Sequence, residues 1–174
     1  MHADTIRSIN NLGSLLCSCK KHDEAEPLLR ESLAKHRALL GDLDESTLTC
    51  MGNLAKFLEE RELLVEGEQL YHECLAGRRA FSGEKDQGTL ARIYNLADLL
   101  KTKGQLQEAE QLFREELEKC REILGDDHEE TQNSIRNLAE LLEEMGQVDE
   151  AARLRAEVPD SEGEEEEEED GEEP

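Results

Sequence analysis

Set against itself at an offset of 42 residues, the sequence falls into register in four successive copies without a gap. Thr5, Asn11, Leu12, Leu16, Glu24, Leu28 and Glu31 each recur unchanged in all three later copies, for example as Asn53, Asn95 and Asn137. Leu33, Arg37 and Gly41 recur in the next two. Self-similarity at such a period marks a stack of supersecondary units, none of which can bury its apolar face alone.

Each unit reads as two helices. In the third copy Ile93, Leu96, Ala97 and Leu100 lie at helical spacing, the pattern of one buried stripe. A polar break follows, with Gly104 and Gly146 at the turn. The second helix is predicted from about Gln107 to Leu124, and Gly125, like Gly41 and Gly83, supplies a left-handed position past its end. Asp23 and Asp149 stand where a side-chain cap would start this helix, Asp23 forming a capping box with Glu26. Glu62 replaces the turn glycine in the second copy, which predicts a looser turn there. Arg155 replaces Leu29, Tyr71 and Phe113 in the fourth, which predicts a short, exposed closing helix. The expected fold is all-α, an α-solenoid of antiparallel helical hairpins over residues 5–40, 47–82, 89–124 and 131–158.

Charge separates this body from its end. Of 44 acidic residues in a chain of formal charge −24, eleven lie in residues 160–174, which hold no Lys or Arg. Residues 1–158 are expected to fold as one repeat domain and residues 159–174 to form a disordered acidic tail. The negative field disfavours nucleic acid and anionic lipid as partners. There is no apolar run of membrane-spanning length and no signal-peptide pattern. Five Cys without regular spacing read as reduced thiols, pointing to a cytoplasmic location. Cys17-x-Cys19 beside His22 completes no tetrahedral metal set. No P-loop, dinucleotide fingerprint, H-E-x-x-H or nucleophile elbow occurs. A non-enzymatic protein with no cofactor and no metal is expected.

The pattern N-L-[GA]-x-L-L, the later x-E-[AG] and the L-G before an acidic linker and Thr resemble the tetratricopeptide repeat. The likeness is nearest to the 42-residue variety of kinesin light chains, and it covers residues 2–158. It implies a right-handed superhelix whose first helices line a concave, peptide-binding groove. On that face Asn11, Asn53, Asn95 and Asn137 would form a ladder of amides able to bond a peptide backbone; a local tie between hairpins is the competing and compatible role. Each Asn precedes a Leu expected to be buried. Arg7, Lys56 and Lys101 would meet ligand carboxylates, while Asp98, Glu140, Glu143 and Glu144 make the far half acidic. A ligand with acidic and basic ends would suit both.

Arg37, Arg79 and Arg121 are expected to reach acids in the following linkers, and the Glu31, Glu73, Glu115 and Glu157 column to be structural. The segment His2–Thr5 matches the linker His128–Thr131, so the first copy opens without a capping helix. On one reading four repeats suffice as they stand; on the other the chain is part of a longer array, or pairs with further repeats or a second copy through that hairpin. The functional expectation is a scaffold for an unidentified protein or peptide. The alternatives are a structural spacer or sensor arm of a larger repeat protein, and capture of basic proteins by the tail.

Overall fold

The computed structural model describes residues 3–158; the expected acidic tail lies outside the described residues. The helices run in four hairpins: α1 (Ala3–Ser18) with α2 (His22–Leu40), α3 (Glu45–Glu60) with α4 (Leu64–Ser82), α5 (Gln87–Thr102) with α6 (Leu106–Leu124), and α7 (Glu129–Glu144) with α8 (Val148–Arg155). Each second helix except α8 packs both on its own partner and on the first helix of the next hairpin. Contacts of this nearest-neighbour kind make an α-solenoid.

The predicted stripes form the core. Ile93, Leu96, Ala97 and Leu100 are buried, as are Leu54, Leu58, Leu138 and Leu142 at the matching positions. Leu12 departs from its column, being 48% exposed where Leu54, Leu96 and Leu138 are buried. Each of those three leucines lies on a helix that packs on the second helix of the preceding hairpin, and none precedes α1 among the described residues. On the second helices one column carries the largest side chains of the core, Leu29, Tyr71 and Phe113, all fully buried. In the fourth hairpin that column is the exposed Arg155, at the end of a helix only 8 residues long.

Local details correct three expectations. Asp23 and Asp149 do not cap the second helices: the N-cap residues there are Lys21, Leu63, Gln105 and Gln147, none with a side-chain cap bond. The hairpin turn is closed by main-chain bonds such as Lys21 N–H to Leu16 O at 2.9 Å. Both aspartates fall within the first turn, where their charge favours the helix N-terminus. It is two of the first helices that are side-chain capped, Asp44 accepting from Ser46 N–H at 2.9 Å and His128 Nδ1 from Glu130 N–H at 3.2 Å. Gly41, Gly83 and Gly125 have φ of 86–88° with ψ of 168–176°. That is not the left-handed helical geometry expected but an extended mirror region essentially restricted to glycine.

The turn at Glu62 is not loose. Glu62 adopts φ 60°, as does Lys20, beside 76° and 78° at Gly104 and Gly146. The closing bonds match as well, Leu63 N–H to Leu58 O at 2.8 Å and Gln105 N–H to Leu100 O at 2.9 Å. Packing thus imposes the glycine conformation on two residues with a Cβ, at about 1–2 kcal/mol each. Lys20→Gly and Glu62→Gly are each expected to raise stability by about 0.5–1 kcal/mol after the greater chain entropy of glycine is subtracted. Urea denaturation reads this directly, and an unmoved or lowered midpoint would show that these turns are not strained.

Candidate functional site

Two columns that recur in the sequence meet between hairpins. Arg37 Nη2 lies 2.5 Å from Glu73, Arg79 Nη2 lies 2.6 Å from Glu115, and Arg121 pairs with Glu157. Through Nε the same arginines reach the following linkers, at Asp42, Glu84 and Asp126, each 3.1 Å away. The arginine side chains are about one-third exposed, so each pair contributes little alone. Each pair ties one hairpin to the next, which accords with the structural role expected of both columns.

The face carried by α1, α3, α5 and α7 holds two clefts. One, of about 240 Å³, brings together Ser14, Cys17, Asn53, Lys56, Phe57 and Glu60. Asn53 Nδ2 there donates to Asn10 Oδ1 and Ser14 Oγ, both at 3.4 Å, joining α3 to α1. The other, of about 460 Å³, opens between the third and fourth hairpins and is lined by Leu90, Tyr94, Asn95, Glu116, Asn133 and Asn137 among others. Glu130 and Arg136 also border it; Gln87 Nε2 donates to Glu130 at 2.9 Å, and Arg136 Nη1 donates to Asn133 Oδ1 at 2.9 Å.

Thus Asn53 and Lys56 share one cleft, Asn95 and Asn137 the other. Asn11 and Arg7 are exposed on α1 and border neither of these two. Lys101 is already engaged, its Nζ lying 2.9 Å from Glu140 and 3.1 Å from Glu144. Burial works against its charge, but the hydrogen bonds to those glutamates outweigh it and raise its pKa. A ligand carboxylate at Lys101 would have to displace two carboxylates already in place. Burial pushes the Asp98 and Glu59 carboxyls on the same face above the usual range, and Tyr71 Oη donates to Glu59 at 2.9 Å.

Beneath this face, each junction between hairpins gathers three side chains whose positions repeat at 42 residues, and their chemistry differs. At the first, Ser32, His36 and Cys50 are buried and mutually bonded, with His36 Nδ1 at 3.2 Å from Ser32 Oγ and 3.3 Å from Cys50 Sγ. The second holds Cys74, Arg78 and Arg92; the Arg92 guanidinium lies over Gly52, in the space a Cβ there would need. Arg78 is buried beside Thr49, to which it donates at 3.3 Å. The third holds Glu116, Cys120 and Ser134. All five cysteines are free thiols, and burial raises the pKa of Cys50, Cys74 and Cys120. Among the described residues no group of three or more His, Cys, Asp or Glu is arranged to hold a metal ion.

Sequence reading overlooked Arg78, Arg92, Tyr94 and Glu116. The signal available was a contrast within columns: that of Ser32 and Cys74 changes to Glu116, and that of Cys50 and Ser134 changes to Arg92.

Two family profiles, each described as tetratricopeptide repeat, match the sequence, one over residues 53–118 and 89–157 and the other over residues 5–45. Among solved structures, a protein of Podosopora anserina described as a kinesin light chain with nearly identical TPR-like repeats is 25% identical. That match covers 88% of this chain and 72% of the other, with a TM-score of 0.79. BtubC (BKLC) from P. vanneervenii shares the fold at 21% identity and TM-score 0.76, over 87% of this chain and 60% of that one. A Rap protein complexed with competence and sporulation factor does so at 15% identity and TM-score 0.70, over 88% and 42%. Comparison with curated proteins finds no match.

Proposed function

The chain belongs to the tetratricopeptide repeat family, in its kinesin light chain-like form, and on that premise we propose that it binds an extended segment of a partner protein along the face of α1, α3, α5 and α7. Repeats of this family are in general non-enzymatic interaction scaffolds. One observation carries the finer reading. Asn53 and Lys56 of the second hairpin, Asn95 of the third and Asn137 of the fourth line clefts on one face. Amides in such a row offer a peptide both donor and acceptor, and Lys56 adds a cation at one end. Arg7 and Asn11 would extend the contact to α1. No described helix is long and apolar enough to cross a membrane, and the five free thiols favour a cytoplasmic setting.

A pull-down followed by titration of the captured partner tests the proposal, using the full chain, a chain lacking residues 160–174, and the Asn53→Ala/Asn95→Ala variant. The double variant is expected to keep its helical circular dichroism and lose at least about tenfold in affinity, since each amide leaves a buried peptide group unpaired. Loss only on removing residues 160–174 would assign binding to the eleven acidic side chains there. Binding unchanged in both would favour a spacer.

A further inference from the structure

The cleft between the third and fourth hairpins contains a buried acid with one oxygen that no described residue bonds. Glu116 is 7% exposed, and among the described residues its Oε2 has no hydrogen-bond partner. The column it occupies shows what is unusual. In the first copy Ser32 Oγ donates to Ile6 O at 3.3 Å, and in the second Cys74 Sγ donates to Leu48 O at 3.2 Å. Both are short donors that tie a second helix to the first helix of its own hairpin. Glutamate is longer and, when ionised, has no proton to donate. It lines the open cleft instead.

Resting on the peptide-scaffold reading above, we propose that this cleft is the specificity pocket for one cationic side chain, Lys or Arg, of the bound segment, with Glu116 as its counter-ion. Three features fit that occupant. An unpartnered buried carboxyl oxygen calls for a donor, and a charged donor repays desolvation best. Leu90, Ala91 and the Tyr94 ring form a wall for the methylene stem and the face of a cation. The amides of Asn95, Asn133 and Asn137 stand around it, supplying carbonyl acceptors for the remaining N–H groups of a guanidinium. Glu130 adds a second acid at the border, and the one bordering cation, Arg136, is held by Asn133. The volume of about 460 Å³ exceeds what one such side chain requires.

The test is a selection of 12-residue peptides displayed on phage, run against the full chain and against Glu116→Gln. Wild type is expected to select Lys or Arg at one fixed position of the peptide; Glu116→Gln is expected to select peptides of similar pattern without that basic preference. In the best wild-type peptide, replacing the basic residue by citrulline or norleucine should weaken binding at least about tenfold to wild type and little to Glu116→Gln. A basic preference spread over all positions and unaffected by Glu116→Gln would place the attraction in the acidic tail and overturn the pocket. Peptides selected with no basic position would overturn the pocket alone. Failure to select any peptide would overturn the scaffold reading and the pocket with it.

Discussion

Phe113→Ala is expected to lower the free energy of unfolding by about 3–5 kcal/mol, the range for truncating a fully buried aromatic side chain. Phe113 is 1% exposed in the middle of α6, with the Tyr94 ring of α5 at a centroid distance of 6.0 Å. Its removal strikes the packing of α6 on α5, where the rigid packing of a core leaves the lost volume only partly refilled. The repeat supplies its own control: Arg155 occupies the same column in α8, is exposed, and reaches Glu143 at 2.9 Å. Arg155→Ala should therefore cost less than about 1 kcal/mol. Denaturant titrations followed by far-UV circular dichroism compare the two, because the chain has no Trp. Equal losses at both positions would show that the fourth hairpin is not the lightly packed end of the array. Hydrogen exchange should show the Phe113→Ala loss concentrated in α5 to α8, since stability in a solenoid is transmitted from neighbour to neighbour.

Glu116→Gln is expected to stabilise the protein, increasingly as pH rises. Burial pushes the Glu116 carboxyl up to about 7 and nearby Glu130 adds to this, while a hydrogen bond from Ser134 opposes it. Besides Ser134 and Glu130 of α7, Tyr94 of α5, Cys120 of α6 and Arg136 of α7 border the same cleft. Because the folded pKa lies above the unfolded one, the folded state binds the proton more tightly. Stability from the neutral form is complete below the ordinary glutamate range and is lost as pH rises through about 7. At pH 8 the penalty for ionising this group is on the order of 3 kcal/mol, and glutamine removes it. The variant should thus unfold at higher urea concentration than wild type at pH 8 and at nearly the same concentration at pH 4.5. A gap that failed to widen between those values would mean that Glu116 already has a donor in solution. The effect is also the thermodynamic counterpart of the pocket: an acid that costs stability alone is one that a cation can repay on binding.

The helical hairpins and the stripe they bury were legible in the sequence. Helical spacing is a local property, and a gapless period of 42 residues prints it four times over. Ile93, Leu96, Ala97 and Leu100 needed no tertiary information to be placed inside. The weak closing helix was equally legible, because Arg155 stands in a column of large apolar residues. Turn chemistry was less so. Glu62 and Lys20 adopt the glycine conformation because the helices on either side are held by the core, and the packing outweighs a local preference of about 1–2 kcal/mol. The expected caps at Asp23 and Asp149 failed for a related reason, as main-chain bonds across the turn fix where each second helix begins.

For the candidate site, the sequence offered a face and four asparagines as expectations, but not the depth of the clefts or the pairing of Lys101 with Glu140 and Glu144. It also showed the Arg37 and Glu73 columns separately, while only stacking brings residues 36 apart to within hydrogen-bond reach. By itself, then, the sequence determined the repeat, the class of fold and the apolar stripes, since each follows from spacing along one helix. The tertiary structure alone decided which columns of neighbouring hairpins oppose each other. It therefore decided that the junctions hold a closed Ser32–His36–Cys50 knot, a pair of arginines, and a buried glutamate with one oxygen unbonded among the described residues. Side chains from two helices of neighbouring hairpins meet at each of these points, and no periodicity along a single helix specifies such a meeting.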